Sequence, residues 1–211
     1  MISEGIPRAV VIGATGGIGI ATAELLLKLG FIVTPVYRVQ VDLTAEESVA
    51  QISKILTNTN PDIVINCAGV FGLNETADYD TTFDVNVRSS WAVIKHYMDN
   101  PSNKTVDVVF VGSTAYDHGR KNYMLYSASK SAQHNLFEGA AEFFSDTQTK
   151  IHIVHPARTR TPMVAPFNEK LDYLEPQEVA LAIGKCLDSA NGSKQILTLG
   201  KTDEQKNWTF R

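Results

Sequence analysis

Tyr126 and Lys130 stand four residues apart in Tyr126-Ser127-Ala128-Ser129-Lys130, with Ser113 thirteen residues before the tyrosine and Asn86 twenty-seven before the serine. On a helix spanning 123–144, positions i and i+4 share a face, so the Lys130 ammonium acts on the field around the Tyr126 hydroxyl. A tyrosine ordinarily loses its proton near pH ~10. A neighbouring cation favours the phenolate and brings the group toward the range in which it can both give and take a proton. Ser113, at the end of an apolar strand, can bond the same substrate oxygen, and such donors stabilise developing alkoxide charge. The set reads as acid/base machinery for carbonyl chemistry. Taken alone, a Tyr-x-x-x-Lys pair reads more readily as a half-buried tyrosine beside a solvated lysine, so the rest of the chain must decide.

Near the N-terminus, the apolar run at 9–12 leads directly into Gly13-Ala14-Thr15-Gly16-Gly17-Ile18-Gly19 and then an apolar-periodic stretch to Leu29. This is strand, glycine turn, helix. Gly13 permits the tight turn, Gly17 lets backbone N–H groups approach a pyrophosphate, and Gly19 lets helix and strand pack closely. The anion then sits at the helix N-terminus. A glycine-rich loop without ligand is the alternative, which the position between a buried strand and a helix disfavours.

With these motifs in hand, the chain resembles a short-chain dehydrogenase/reductase from about residue 8 to residue 200. Gly13, Gly17 and Gly19 match that family's Thr-Gly-x-x-x-Gly-x-Gly pattern, with Ile12 in place of the Thr. Asn66-Cys67-Ala68-Gly69 matches Asn-Asn-Ala-Gly, and Asn86, Ser113, Tyr126 and Lys130 match its catalytic set. Pro156-Ala157 stands where the family has Pro-Gly, and Thr161 where a Thr commonly contacts the nicotinamide carboxamide. The resemblance implies that Thr15, Gly16, Ile18, Asn66, Ala68, Gly69, Tyr126, Lys130, Pro156 and Thr161 join the three glycines in holding a nicotinamide cofactor. It also implies that Asn86 holds a water relaying protons from Lys130. A homodimer or homotetramer through helices 79–98 and 123–144 is expected on the same ground.

The elements that must position these residues alternate regularly. Strands are expected at 8–12, 31–36, 62–66, 106–111, 151–155 and 195–199, and helices at 18–29, 45–57, 79–98, 123–144 and 176–190. Such alternation, with Val/Ile-rich strands, specifies an α/β, doubly wound parallel sheet of Rossmann type in a single domain over 1–211. Ligands bind such sheets at the carboxyl ends of the strands. At 211 residues and 44% hydrophobic, one core is expected and no separate substrate domain, which leaves the pocket to loops at about 112–122 and 156–175. The net charge of −4, with scattered Lys and Arg, argues against a nucleic-acid partner. No apolar run reaches the roughly 18 residues of a membrane span, and Met1 to Gly5 lacks the character of a signal sequence, so a cytoplasmic protein is expected. Cys67 and Cys186 read as free buried thiols. The five histidines are too dispersed for a metal site; of these His118, on the active-site loop, is the one to follow.

Between Arg38 and Asp42-Leu43 only three residues intervene, where the family usually inserts a helix. By resemblance Asp42 and Leu43 mark the adenine-contacting segment. No acidic residue ends the second strand to receive the ribose 2′-OH of NAD, whereas the Arg38 guanidinium there can pair with a 2′-phosphate, so NADP(H) is favoured over NAD(H). Arg120, Lys121, Arg158 and Arg160 lie on the two substrate loops, and arginine forks suit phosphate. Arg120 and Lys121 fit equally a solvated turn, and Arg158 fits the cofactor pyrophosphate. Both loops and the short connection also resemble the reductase domains of bacterial CDP-ribitol synthesis, which reduce ribulose 5-phosphate to ribitol 5-phosphate and accompany a cytidylyltransferase. The leading expectation is an NADPH-dependent reductase of a carbonyl such as a phosphorylated ketose, with an unphosphorylated ketone, a non-catalytic NADP-binding sensor and an epimerase or dehydratase as alternatives.

Overall fold

The structure, a computed structural model, describes residues 5–164, 172–187, 194–200 and 208–210. Six parallel strands, β1 (Arg8–Ile12), β2 (Ile32–Val36), β3 (Ile63–Asn66), β4 (Val106–Val111), β5 (Thr149–Pro156) and β6 (Lys194–Leu199), lie in the order β2-β1-β3-β4-β5-β6. A seventh, β7 (Trp208–Phe210), pairs antiparallel with β6 at the edge. The helices are α1 (Gly17–Lys28), α2 (Ser48–Thr59), α3 (Tyr79–Phe83), α4 (Ser89–Asp99), α5 (Met124–Phe143) and α6 (Pro176–Cys186).

Period-two alternation explains why the strands read as unbroken apolar runs. Val10 and Ile12 of β1 and Val106, Val108 and Phe110 of β4 enter the core beneath α2, α4 and α5. Ala9 and Val11, with Val109 and Val111, enter the opposite core beneath α1 and α6. Both faces of the central strands are dry, as parallel βαβ units require. β2 pairs only with β1, and this edge position tolerates Pro35, which lacks a donor for a second ladder.

The sequence expectations hold for the sheet and need amendment at four places. Helix α2 begins at Ser48 rather than 45, because the Asp42 carboxylate captures Thr44 N–H and Oγ and turns the chain first. The expected helix 79–98 is three pieces: between α3 and α4, residues Asp84–Arg88 form a π-helical turn. β7 was not expected, three residues being too few to display a period. Helix α6 ends at Cys186, and residues 188–190 of its expected span lie outside the described residues, as do 165–171 of the second substrate loop. The shortened connection after β2 is present: Gln40 and Val41 N–H groups close a tight turn on the Tyr37 carbonyl and lead straight into Asp42.

The glycine loop is the tightest point of the fold. Gly13 has φ +77, and a Cβ on it would lie 2.7 Å from the Ala68 nitrogen; on Gly19 it would lie 2.2 Å from the Gly13 carbonyl oxygen. Gly19→Ala must therefore push α1 off β1 and is expected to cost about 1–3 kcal/mol, read as a lowered urea midpoint. An unchanged midpoint would show that the loop yields freely.

Candidate active site

Strand order reverses at β1, the chain passing to β2 on one side and to β3 on the other. Loops leaving the carboxyl ends of β1 to β5 converge over this reversal, which is where an open α/β sheet leaves a crevice. Two adjoining cavities fill it, one of about 370 Å³ over the glycine loop and one of about 300 Å³ over Ser113 and Tyr126. They share Ile18, Cys67, Ala68, Gly69, Thr161 and Met163.

The larger cavity is lined by Gly13, Thr15, Gly16, Gly17, Ile18, Gly19, Arg38, Asp42 and Leu43, all expected from the sequence. The family's threonine is replaced by Ile12, and backbone holds the loop instead, with Gly13 N–H donating to Val36 O at 3.2 Å and Gly16 N–H to Gly13 O at 3.2 Å. Helix α1 has neither a side-chain cap nor an acidic residue in its first turn, so its leading N–H groups present an anion site. Thr161 closes over this loop: a Cβ at Gly17 would lie 2.7 Å from its methyl group. A nucleotide pyrophosphate fits this donor set. Arg38 is exposed at the cavity wall, with no carboxylate in salt-bridge range among the described residues. Asn66 does not line the cavity. It is buried, its amide donating to Ser89 and Ser90 hydroxyls and its oxygen accepting Ala68 N–H, so it shapes the loop from beneath.

The smaller cavity brings together Ser113, Tyr126 and Lys130, with Pro156 in its wall. The Ser113 oxygen accepts Ala115 N–H at 3.1 Å, leaving its own hydrogen to be donated. Burial pushes the Tyr126 pKa above the usual tyrosine value, outweighing the Ser113 side chain, which favours the phenolate. This corrects the expectation that Lys130 would lower it. The Lys130 amine lies 5.9 Å from the Tyr126 ring centroid and is turned instead to Val111 O at 3.1 Å and Gln133 Oε1 at 2.9 Å. Burial, at 3% exposure, brings its pKa down to about 8. Cys67, partly buried rather than fully so, has its thiol pushed up to about 12 by burial, which leaves it protonated and a poor nucleophile.

Asn86 occupies the π turn and is fully buried. Its oxygen accepts Val70 N–H at 2.8 Å, and its amide donates to Val70 O at 3.0 Å and Ser129 Oγ at 2.9 Å. Both amide hydrogens are spent on protein. The side chain clasps the loop after β3 to the helix that carries Tyr126 and Lys130.

The cations divide. Arg120 and Arg158 line the smaller cavity, whereas Arg160 and Lys121 do not. Arg160 pairs with Glu175 at 2.9 Å and lies over the Tyr173 ring. Arg120 is tethered to Thr114 O and Asp117, and its buried Nε has no partner. His118 is exposed, pairs with Asp117 at 2.7 Å, and lines neither cavity.

Several site residues carried no motif. Phe71 packs edge-on against Tyr123 and Tyr126, with centroids at 5.2 and 5.0 Å. Gln133 receives the Lys130 amine and passes its own amide to Ser90. Asn74 caps α5 from fifty residues away by accepting Met124 N–H. The i, i+3 spacing of Lys130 and Gln133 was the one readable signal among these.

Comparisons with known proteins bear on the family and the fold. The short chain dehydrogenase family profile matches residues 33–172, more than half of the chain. An uncharacterized oxidoreductase of Staphylococcus aureus is 28% identical over 206 residues, covering 83% of this chain and 88% of the relative. Ligand-free aldohexose dehydrogenase of Thermoplasma acidophilum superposes with a TM-score of 0.79 at 20% identity, covering 96% of this chain and 97% of that one. A short chain dehydrogenase of Burkholderia cenocepacia in complex with NADP gives 0.77 at 19% identity, with 90% and 87% covered; both structures bear on the fold alone.

The low Lys130 pKa has a consequence for stability. The folded amine titrates near 8 and the unfolded one near 10.5, so between these values the unfolded state binds the extra proton and this group makes stability rise with pH. Lys130→Met abolishes that term. The variant's stability relative to wild type is therefore expected to fall from pH 8 to pH 10.5 in paired denaturation curves; a difference that is flat over this window would count against a desolvated amine.

Proposed function

The chain belongs to the short chain dehydrogenase family and is an oxidoreductase, and from that premise we propose that it is an NADP(H)-dependent reductase of a carbonyl compound. The observation that carries this reading is the convergence of Ser113, Tyr126 and the buried Lys130 amine on one cavity that adjoins the glycine-loop cavity. The bound nicotinamide supplies the hydride. Ser113 and Tyr126 hold the carbonyl oxygen and Tyr126 gives it a proton as negative charge develops, while the Lys130 amine, held by Val111 O and Gln133 Oε1 in the wall of the same cavity, is placed for the cofactor ribose. Asn86 keeps the backbone carrying these groups in register.

The preference for NADP(H) is supported by Arg38, which stands at the cavity wall beyond β2, while Oδ1 of the nearby Asp42 carboxylate is held by Thr44. Our candidate substrate is a phosphorylated ketose such as ribulose 5-phosphate, its phosphate met by Arg120 and Arg158. A neutral ketone or aldehyde is the second reading, favoured by the apolar wall of Phe71, Tyr123, Met163 and Val164. Exposed Trp91, Met124 and Phe143 on α4 and α5 suit assembly into a homodimer or homotetramer.

Turnover of phosphorylated ketoses, their dephosphorylated analogues and neutral ketones with NADPH, followed at the nicotinamide absorbance, tests the reading. Tyr126→Phe should lose ~10²- to 10⁴-fold in kcat with NADPH affinity nearly intact; a loss smaller than tenfold sinks the acid/base assignment. If the ligand carries a phosphate, Arg158→Ala should raise KM for ribulose 5-phosphate far more than for ribulose, and good activity confined to neutral ketones discards that substrate. Arg38→Asp should erase the preference for NADPH over NADH, costing about 1.5–3 kcal/mol of NADPH binding. Equal dissociation constants for the two cofactors in the unmodified protein would rule the preference out.

A further inference from the structure

Behind Ser113 lies a buried pair of imidazoles that the proposed chemistry does not use. His155, at the end of β5, is fully buried. Its Nδ1 accepts the Ser113 backbone N–H at 3.2 Å, and its Nε2 faces His134 Nδ1, on α5, at 3.1 Å. The first contact fixes the second. A peptide N–H can only donate, so Nδ1 must carry a lone pair and the proton of His155 must sit on Nε2. That proton is then donated to His134 Nδ1, which must in turn be the acceptor. The other His134 nitrogen lies 3.9 Å from the Glu138 carboxylate. Direction is thus set along the whole line, from the Ser113 loop to the surface of α5.

The surroundings hold this arrangement rigidly. The Tyr116 ring stacks on His155 with centroids 4.0 Å apart and 21° between planes, and its centroid lies 4.2 Å from that of His134. Tyr116 N–H closes on Ser113 O at 3.1 Å, so the stacked ring belongs to the same turn as the serine. Gly112 leaves room for the imidazole: a Cβ there would lie 2.3 Å from His155 Nδ1. Burial, followed by the neighbouring His134 and Lys130, brings the His155 pKa down to about 3, which keeps the Nδ1 lone pair available throughout the neutral range.

We propose that His155, set in its Nε2–H tautomer by the Ser113 N–H and seated against His134, is the positioning residue that aims Ser113 at the substrate oxygen. The proposal rests on the reading of Ser113 as a hydrogen-bond donor to that oxygen. His155 touches neither ligand cavity, so it acts through the Ser113 backbone and the turn that follows it. An asparagine at 155 would present Oδ1 where the imidazole presents Nδ1 and keep the acceptor; a leucine would keep bulk and remove it.

The ring ¹⁵N shifts of His155 in the unmodified protein give the first test, which needs no substrate. An unprotonated Nδ1 and a protonated Nε2 at neutral pH are expected, and an Nδ1–H tautomer or a rapidly exchanging mixture overturns the proposal. His134→Leu should leave that tautomer in place, because the Ser113 N–H still claims Nδ1, and its conversion to an Nδ1–H form or a mixture would show that the Ser113 contact does not set it. In turnover with ribulose 5-phosphate or diacetyl and NADPH, His155→Leu should lose ~10- to 100-fold in kcat, as expected for a misplaced catalytic group, while His155→Asn stays within about threefold of wild type on the same reasoning. Ser113→Ala is run alongside. If it loses activity while a folded His155→Leu does not, or if Asn fails as badly as Leu, positioning by His155 is wrong. If Ser113→Ala is fully active, the reading of Ser113 itself has failed.

Discussion

An amine buried at the carboxyl end of a parallel sheet sets most of what surrounds it. Moving an ammonium out of water costs several kcal/mol unless oxygen acceptors replace the lost hydration, and Lys130 finds two, the Val111 carbonyl at the end of β4 and the Gln133 amide one turn along its own helix. Gln133 must then be oriented with its oxygen toward the lysine, which sends its amide to the Ser90 hydroxyl, where the Asn66 amide also arrives. Asn66 is the last residue of β3, and its oxygen turns the chain at Ala68. One buried cation thus links β3, α4, β4 and α5. A network of this kind adds little net stability, since an apolar core of equal volume does as well, but it fixes where the amine lies when no ligand is present.

The same requirement explains the π turn. A regular helix from 79 to 99 would keep the side chain at 86 on the helix surface, whereas the extra residue in the turn frees Asn86 to bond both backbone groups of Val70 and the hydroxyl of Ser129. Such insertions mark functional positions often enough to be informative. Here the gain is mechanical: the loop after β3, which walls both cavities, is tied to the helix of Tyr126 and Lys130 without occupying either cavity.

Much of this was legible in the chain before the fold was known. The Gly13–Gly19 loop, the strand runs and the Ser113, Tyr126, Lys130 spacing depend on local rules, such as glycine where backbone must approach closely and i, i+4 on a helix face, and they landed where expected. Residues whose role depends on partners far along the chain were not legible. His155 and Gly112 are forty-three positions apart, and neither carries a signal until β4 and β5 are paired. Asn74 looked like any loop asparagine until Met124 came beside it. Arg160 was read with Arg158 because the two lie close in sequence, yet the chain bends at both residues, and Glu175 holds Arg160 away from the cavity. The phenol of Tyr126 was misjudged for a related reason: i, i+4 spacing brings the lysine near the ring, while the burial that raises the phenol's pKa comes from packing that local spacing does not display.

The two halves of the crevice are built on different principles. The cofactor half is made of backbone, with glycines against the Ala68 peptide and the uncapped start of α1, where any side chain would collide. Its shape can hardly vary without dismantling the β1–β3 seam. The substrate half is made of side chains on loops, with Phe71, Arg120, Tyr123, Arg158 and Val164 meeting over the Ser113–Tyr126 pair, and loops tolerate change that a strand seam does not. The glycine-loop half is accordingly anchored in the sheet, and the other half is set at its periphery. Thr161 and Met163 belong to both, for the loop after β5 lays a methyl group on Gly17 and lines the Ser113–Tyr126 cavity with its next residues. Ligands in the two halves must therefore meet along one shared wall.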